Sequence, residues 1–187
     1  MMDTLKPYAL ITDFITGRKI PNVGAEENRQ DLEKFLVNEK GFSKADIEVD
    51  VDIELTIAGD PYRSQVDLIV GIAGCRRIMA IKCAAASLGS REREILAAAR
   101  LLDGSYQIPY SIVSDGRTAI VLDTVSGKKM AEGLEAILSK DEVIEKLKSF
   151  EPHPFPKARV EKEKLIFRSY DSLNVNVQRN ISGSSPP

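Results

Sequence analysis

Lys82 stands inside Ile78-Met79-Ala80-Ile81-Lys82-Cys83-Ala84, an apolar run that reads as a buried strand. Lysine is almost never fully buried without a partner, because desolvating an ammonium is costly, so a carboxylate or a phosphate should answer it. The nearest candidate is Asp67, the one acid in the apolar run Val66-Asp67-Leu68-Ile69-Val70. Side chains alternate along a strand, which puts Ile78, Ala80 and Lys82 on one face and Met79, Ile81 and Cys83 on the other. If the two runs pair as a hairpin, Asp67 and Lys82 can meet across it. A carboxylate could then hold Mg²⁺ by oxygen while the lysine orients or polarises an attacking water. The plain alternative is a strand-end lysine reaching water beside an edge aspartate.

A second charged group, Arg91-Glu92-Arg93-Glu94, opens an apolar-striped run. At about 100° per residue, Glu94 and Arg91 project closer than Arg93 to the stripe of Ile95 and Leu102. Arg91 and Arg93 are candidates to bind phosphate, and a solvated first turn with local ion pairs explains the same residues without a ligand. Ser87-Leu88-Gly89-Ser90 reads either as an anion-binding loop at a helix start or as simple capping. His153, the only histidine, lies between Pro152 and Pro154, a poor setting for general acid–base work. Cys83 reads as a core thiol. Cys75 and Cys83 form no CxxC pair and have no histidine cluster beside them, which disfavours zinc.

These side chains need a scaffold, and its elements can be read from periodicity. Residues 24–37 read as a helix with Leu32, Phe35 and Leu36 on one face and acids in its first turn. Ile47, Val49, Val51, Ile53, Leu55 and Ile57 alternate with acids, as in a half-exposed strand with a single apolar face. Gly59-Asp60-Pro61 reads as a turn. Residues 65–72 and 77–84 form a predicted hairpin around Ala73-Gly74-Cys75-Arg76. Residues 90–102 read as a helix with Ser90 as N-cap, its capping box incomplete because Arg93 stands at the third position. Residues 108–113 and 118–122 flank the hairpin signal Ser114-Asp115-Gly116-Arg117, and Val125-Ser126-Gly127-Lys128 marks another turn. Helices are predicted over 141–150 and 157–170. The order gives an α/β or α+β chain, with one mixed sheet and helices against it. The expected division is a single domain over 1–150, an extension over 151–173 and a mobile tail over 174–187.

The chain is 43% hydrophobic and 29% charged with a net charge of −2, ordinary values for a globular domain. The balance gives no whole-chain basic signal for nucleic acid, so such a contact would need local patches. No run approaches the ~20 apolar residues of a membrane helix, and the N-terminus has no signal-peptide pattern. With two unclustered cysteines, a reduced, cytoplasmic location is expected.

Seven segments together resemble a known family: ITDFITGRKIP, AEENRQ, SQVDLIV, MAIKC, SLGSREREILAAARLL, IPYSIVSDG and LDTVSGKKM. Their order over residues 8–140 is similar to that in the N-terminal nuclease domain of type I restriction enzyme HsdR subunits, within the PD-(D/E)xK superfamily. The resemblance implies a central mixed sheet flanked by helices, Mg²⁺- or Mn²⁺-dependent phosphodiester hydrolysis, a nucleic-acid substrate and a protein partner of a restriction system. It places Asp67 at the family's strand aspartate and Lys82 at its lysine, with Glu26 or Glu27 as the helix acid and the Ile81 carbonyl as a further metal ligand. Ala80, however, stands where the Glu of Glu-x-Lys belongs and offers no oxygen. In related nucleases that acid can move to the next helix, where this chain has Glu92 and Glu94. Glu94 also falls near the Gln of a QxxxY motif, with Ala98 near its Tyr, so it replaces the acid, the Gln or neither. No GxxxxGK[ST] loop is present, so the expectation is a stand-alone domain or one that works beside another chain. A nuclease fold kept only for binding nucleic acid or a partner protein is the alternative, and Ala80 speaks for it.

Overall fold

The computed structural model describes residues 8–72 and 76–171. Its centre is a six-stranded mixed sheet in the order β3-β4-β5-β6-β7-β8, built from Ile47–Ile57, Asp60–Gly71, Arg77–Cys83, Tyr110–Ser114, Ala119–Asp123 and Lys129–Glu132. Only β5 and β6 run parallel; every other neighbour is antiparallel. A parallel pair needs a crossover, and the helix α2 (Glu92–Leu101) supplies it. A two-stranded ribbon, β1 (Leu10–Thr12) with β2 (Lys19–Pro21), precedes the helix α1 (Glu26–Asn38). Helices α3 (Lys140–Leu147) and α4 (Val160–Asp171) follow the sheet.

Two apolar layers cover the sheet. On one side Leu32 and Leu36 of α1 and Val143 of α3 pack with Leu68, Val70, Met79, Ile81 and Ile112. On the other, Ile95 and the alanines of α2 and Phe167 of α4 pack with Ile53, Val66, Ile69, Ala80 and Val113. The residues after 150 thus contribute to the same core through Phe167. The alternation along β5 is as expected at its centre, with Ala80 facing α2 and Met79, Ile81 and Cys83 facing α1; Ile78, at the start of the strand, joins the α1 side.

Four local readings are corrected. The strand 47–57 does not keep one apolar face: Ile47 and Val49 belong to the α1 side, Val51, Ile53 and Leu55 to the α2 side. The switch falls at Asp50, whose backbone has φ 52°, a left-handed conformation that breaks strict alternation. The turn after β3 is Ala58-Gly59, both with positive φ, and Pro61 lies inside β4 opposite Thr56. That stretch of β4 pairs only with β3, which lets the strand keep a residue without an N–H. Ser90 is not the cap of α2: a short 3₁₀ turn over Gly89–Arg91 precedes the helix, and the Ser90 hydroxyl donates to Ser87 O. Strand β8 goes unannounced in the sequence because all four of its residues are exposed. The turn at 73–75, with Cys75, and the tail from 174 lie outside the described residues. Among the described residues no helix is long and apolar enough to cross a membrane.

Candidate functional site

The site forms where β4 and β5 part. Their ladder ends at the pair Leu68↔Ile81, so Asp67 and Lys82 are the first residues beyond it. There the Cys83 N–H donates to Asp67 Oδ2 at 2.7 Å. Asp67 is 4% exposed and fully inside the apolar envelope, and an ammonium reaches it: Lys82 Nζ lies 3.7 Å from Asp67 Oδ2.

The second carboxylate comes from α2. Lys82 Nζ is 3.0 Å from Glu94 Oε1, and Arg91 Nη1 is 3.4 Å from Glu94 Oε2. Glu94 is buried. The reason it can approach lies at position 80. Ala80 is fully buried between Ile69 of β4 and Ser111 of β6, in one cluster with Ile95, Ala97, Ala98 and Ala99 of α2. Small residues on both surfaces bring the helix down onto the strand and carry Glu94 over Lys82. The absence of a Glu at 80 and the presence of one at 94 are two sides of the same packing.

Asp67, Lys82, Glu94 and Arg91 therefore lie together. Ile81, whose carbonyl was a candidate ligand, is the last β5 residue paired with β4. Arg93 lies apart: its Nη2 donates to Glu163 Oε2 of α4 at 3.2 Å. Glu27 is exposed and accepts from Asn22 Nδ2 at 2.7 Å. His153 is exposed, and its carbonyl accepts from the Gln107 N–H. Cys83 is a buried cysteine.

Glu26 belongs to a second charged cluster that the sequence reading did not foresee. Arg29 donates from Nε to Glu26 Oε1 at 2.8 Å and from Nη1 to Glu33 Oε1 at 3.0 Å, and its Nη2 lies 3.1 Å from Asp13 Oδ2. Gln30 Nε2 donates to both Asp13 and Glu26. Burial would lower the guanidinium's affinity for its proton, but Asp50, Glu26 and Glu33 together raise it. Burial pushes the Glu33 carboxyl up to about 7, against the pull of Arg29, and Glu33 Oε2 has no hydrogen-bond partner. Burial also pushes Asp13 up, yet hydrogen bonds from Thr16 and the charge of Arg29 hold it below the usual carboxylate range. The helix is fixed over the sheet's end by Asn28 Nδ2, which donates to Ala84 O at 2.8 Å, and by Gly116. A Cβ there would sit 2.8 Å from Asn28 O. The one sequence signal for this cluster was an arginine spaced three and four residues from glutamates on one helix.

Whether the Lys82 cluster suits a divalent metal can be judged from its donors. Two carboxylates and a nearby strand carbonyl are hard oxygen ligands, and Mg²⁺ commonly takes one or two carboxylates and keeps several waters. Asp67 and Glu94, both within 4 Å of Lys82 Nζ, are donors of that type, and Ile81 precedes Lys82 on the same strand. Among the described residues no group of three or more His, Cys, Asp or Glu side chains is spaced to hold an ion, so the fit rests on that smaller set.

Residues 24–137 match the family described as type I restriction enzyme R protein N terminus (HSDR_N). No curated protein and no solved structure matches the chain.

Proposed function

Because the chain belongs to the N-terminal family of type I restriction enzyme R proteins, we propose that it is a restriction-endonuclease-like module that hydrolyses phosphodiester bonds in nucleic acid. The observation that carries this reading is one ammonium, Lys82, set between two buried carboxylates from different elements at 3.0 and 3.7 Å. In the reading Asp67, Glu94 and the Ile81 carbonyl hold Mg²⁺ or Mn²⁺, and Glu94 supplies the acid that Ala80 cannot. Glu26 is already taken up by Arg29 and Gln30, so it supports the site from α1, and Glu27 stays outside.

The metal's contribution is to acidify a bound water and offset charge on the reacting phosphate. The chain's own residues do the rest. Lys82 donates to the attacking water and keeps its lone pair aimed at phosphorus, and its charge faces the oxygens that gain negative charge in the transition state. Asp67 is held in register by the Cys83 N–H, so its orientation is set before substrate arrives. Arg91, in the 3₁₀ turn before α2 and against Glu94, is placed to take a phosphate oxygen. The overall change is water plus phosphodiester to phosphomonoester and alcohol. The reading implies a cytoplasmic protein whose partners are nucleic acid and other subunits of a restriction system.

Ala80 favours one other reading, a nuclease fold that binds nucleic acid or a partner without cutting. Incubation with single- and double-stranded DNA and RNA in Mg²⁺ or Mn²⁺ separates the two. The nuclease reading expects cleavage that disappears in Asp67→Ala and in Lys82→Ala. No cleavage in any condition, or cleavage indifferent to both substitutions, leaves the binding module.

A further inference from the structure

A cleft of ≈ 490 Å³ opens beside α2, between the helix start, the β7–β8 turn and α4. Its α2 residues, Glu92, Arg93, Leu96 and Arg100, mark one flank of the helix. At about 100° per residue, that flank is nearly opposite the one carrying Glu94. The cleft is thus distinct from the Lys82 cluster, although both meet at the N-terminal end of α2.

Three guanidiniums line it: Arg93, Arg100 and Arg159. They face two carboxylates, Glu92 in the lining and Glu163 behind it, which leaves an excess of positive charge. Arg100 is only 6% exposed and is rigidly set: Nε donates to Thr124 O at 3.0 Å and Nη1 to Glu163 Oε1 at 2.8 Å. Its remaining Nη2 points toward Gly127, where an added Cβ would come within 3.0 Å. Gly127 has φ 71°, so glycine both makes the turn and keeps the space before Arg100 clear. Arg159 is exposed, lies over the Phe155 ring at 5.7 Å and is the most accessible of the three charges.

Such a cleft matches a phosphoryl group, a compact anion with several acceptor oxygens that planar guanidinium forks recognise well. We propose that it binds a backbone phosphate of the nucleic acid, on a strand that crosses the start of α2 between Lys82 and Arg159. This inference rests on the nucleic-acid reading but not on cleavage.

The test is binding without divalent metal, in EDTA, so that hydrolysis plays no part. Fluorescence anisotropy with labelled 12-residue DNA and RNA strands would be measured across a salt series for the wild type, Arg159→Glu and Arg159→Lys. Unlabelled pyrophosphate and ATP would serve as competitors and, by calorimetry, as ligands. Arg159→Glu is expected to weaken strand binding about tenfold and to reduce the salt slope by about one phosphate contact, while Arg159→Lys keeps most of the affinity. Strand binding that Arg159→Glu leaves unchanged overturns the cleft and spares the nucleic-acid reading. Pyrophosphate binding that Arg159→Glu removes, with no strand binding by the wild type, sustains a phosphoryl site and overturns the strand. Binding of neither kind overturns both.

Discussion

Arg29 and Lys82 are each set among buried acids, and the two clusters are built differently. Arg29 is 1% exposed and shares its fork among Asp13, Glu26 and Glu33. Lys82 is 12% exposed and stands between Asp67 and Glu94 where two strands separate. A guanidinium with several fixed hydrogen bonds locks the pieces it touches, here α1 to the turn after β1. An ammonium is a compact charge on a flexible stem that can change partners. One cluster is sealed and over-supplied with acids; in the other the lysine keeps some exposure while its two acids are buried. In the proposed function the first is architecture and the second is where the chemistry would take place.

The largest expected effect comes from breaking the sealed cluster. Arg29→Met leaves Glu26, Glu33 and Asp13 buried without their cation, a loss of the kind that costs about 3–5 kcal/mol. Urea unfolding should show it as a large drop in midpoint. Lys82→Met, by contrast, should abolish metal-dependent cleavage while lowering the midpoint much less, because Asp67 keeps the Cys83 N–H and Glu94 keeps Arg91. Equal losses of stability in the two variants would erase the distinction and make Lys82 a structural ion pair.

Glu94→Gln sharpens the comparison from the other side. It removes the helix acid but keeps a group of the same shape on α2, so cleavage should fall by about a hundredfold or more with the fold intact by circular dichroism. Ala80→Glu should not restore it. Position 80 is packed against the alanines of α2, and an acid there would push the helix away. If Ala80→Glu in the Glu94→Gln background cut as the wild type does, the packing account of the missing Glu would fail.

The two clusters also differed in how far the sequence revealed them. Asp67 and Lys82 were legible because each is the odd polar residue in an apolar strand, and strand alternation fixes which face each takes. Glu94 was legible through its helical phase beside Ile95. Arg29 was not, since its partner Asp13 comes from a loop and no periodicity links the two. Asp50 was hidden for a different reason: a single left-handed residue inside an alternating strand leaves no trace in residue type, yet it turns the apolar face of β3 over. Strand β8 was missed because nothing in Lys129-Met130-Ala131-Glu132 is buried, so there is no pattern to read.

The sealed cluster should also give the fold a pH signature. The Glu33 carboxyl titrates at about 7 in the folded chain, against 4.5 for the free side chain. Between those values the folded state holds a proton that the unfolded state has lost, so stability falls as pH rises from 4.5 to 7 and levels off above. The shift corresponds to about 3 kcal/mol. Asp13 acts in the opposite sense but only at lower pH, where its depressed carboxyl finally protonates. Glu33→Gln should flatten the fall in a urea midpoint series from pH 4.5 to 8. An unchanged slope would mean that Glu33 is not the group responsible.

The smallest effect uses two non-glycine residues with positive φ among the described residues, Ala58 at 53° and Asp50 at 52°. They carry nearly the same backbone strain in very different places. Ala58 sits in the β3–β4 turn, and Ala58→Gly should raise stability by about 1 kcal/mol, since glycine takes this conformation without the Cβ clash. Asp50 lies in the strand where the ladder places it across from Asp67, between the pairs Val49↔Leu68 and Val51↔Val66, and its charge is felt by Arg29. Asp50→Gly relieves similar strain but removes that attraction, so its gain should be smaller or reversed. The difference between the two midpoint shifts measures what the Asp50 charge contributes to the sealed cluster. Equal gains in both variants would show that it contributes nothing and that Arg29 is held by Asp13, Glu26 and Glu33 alone.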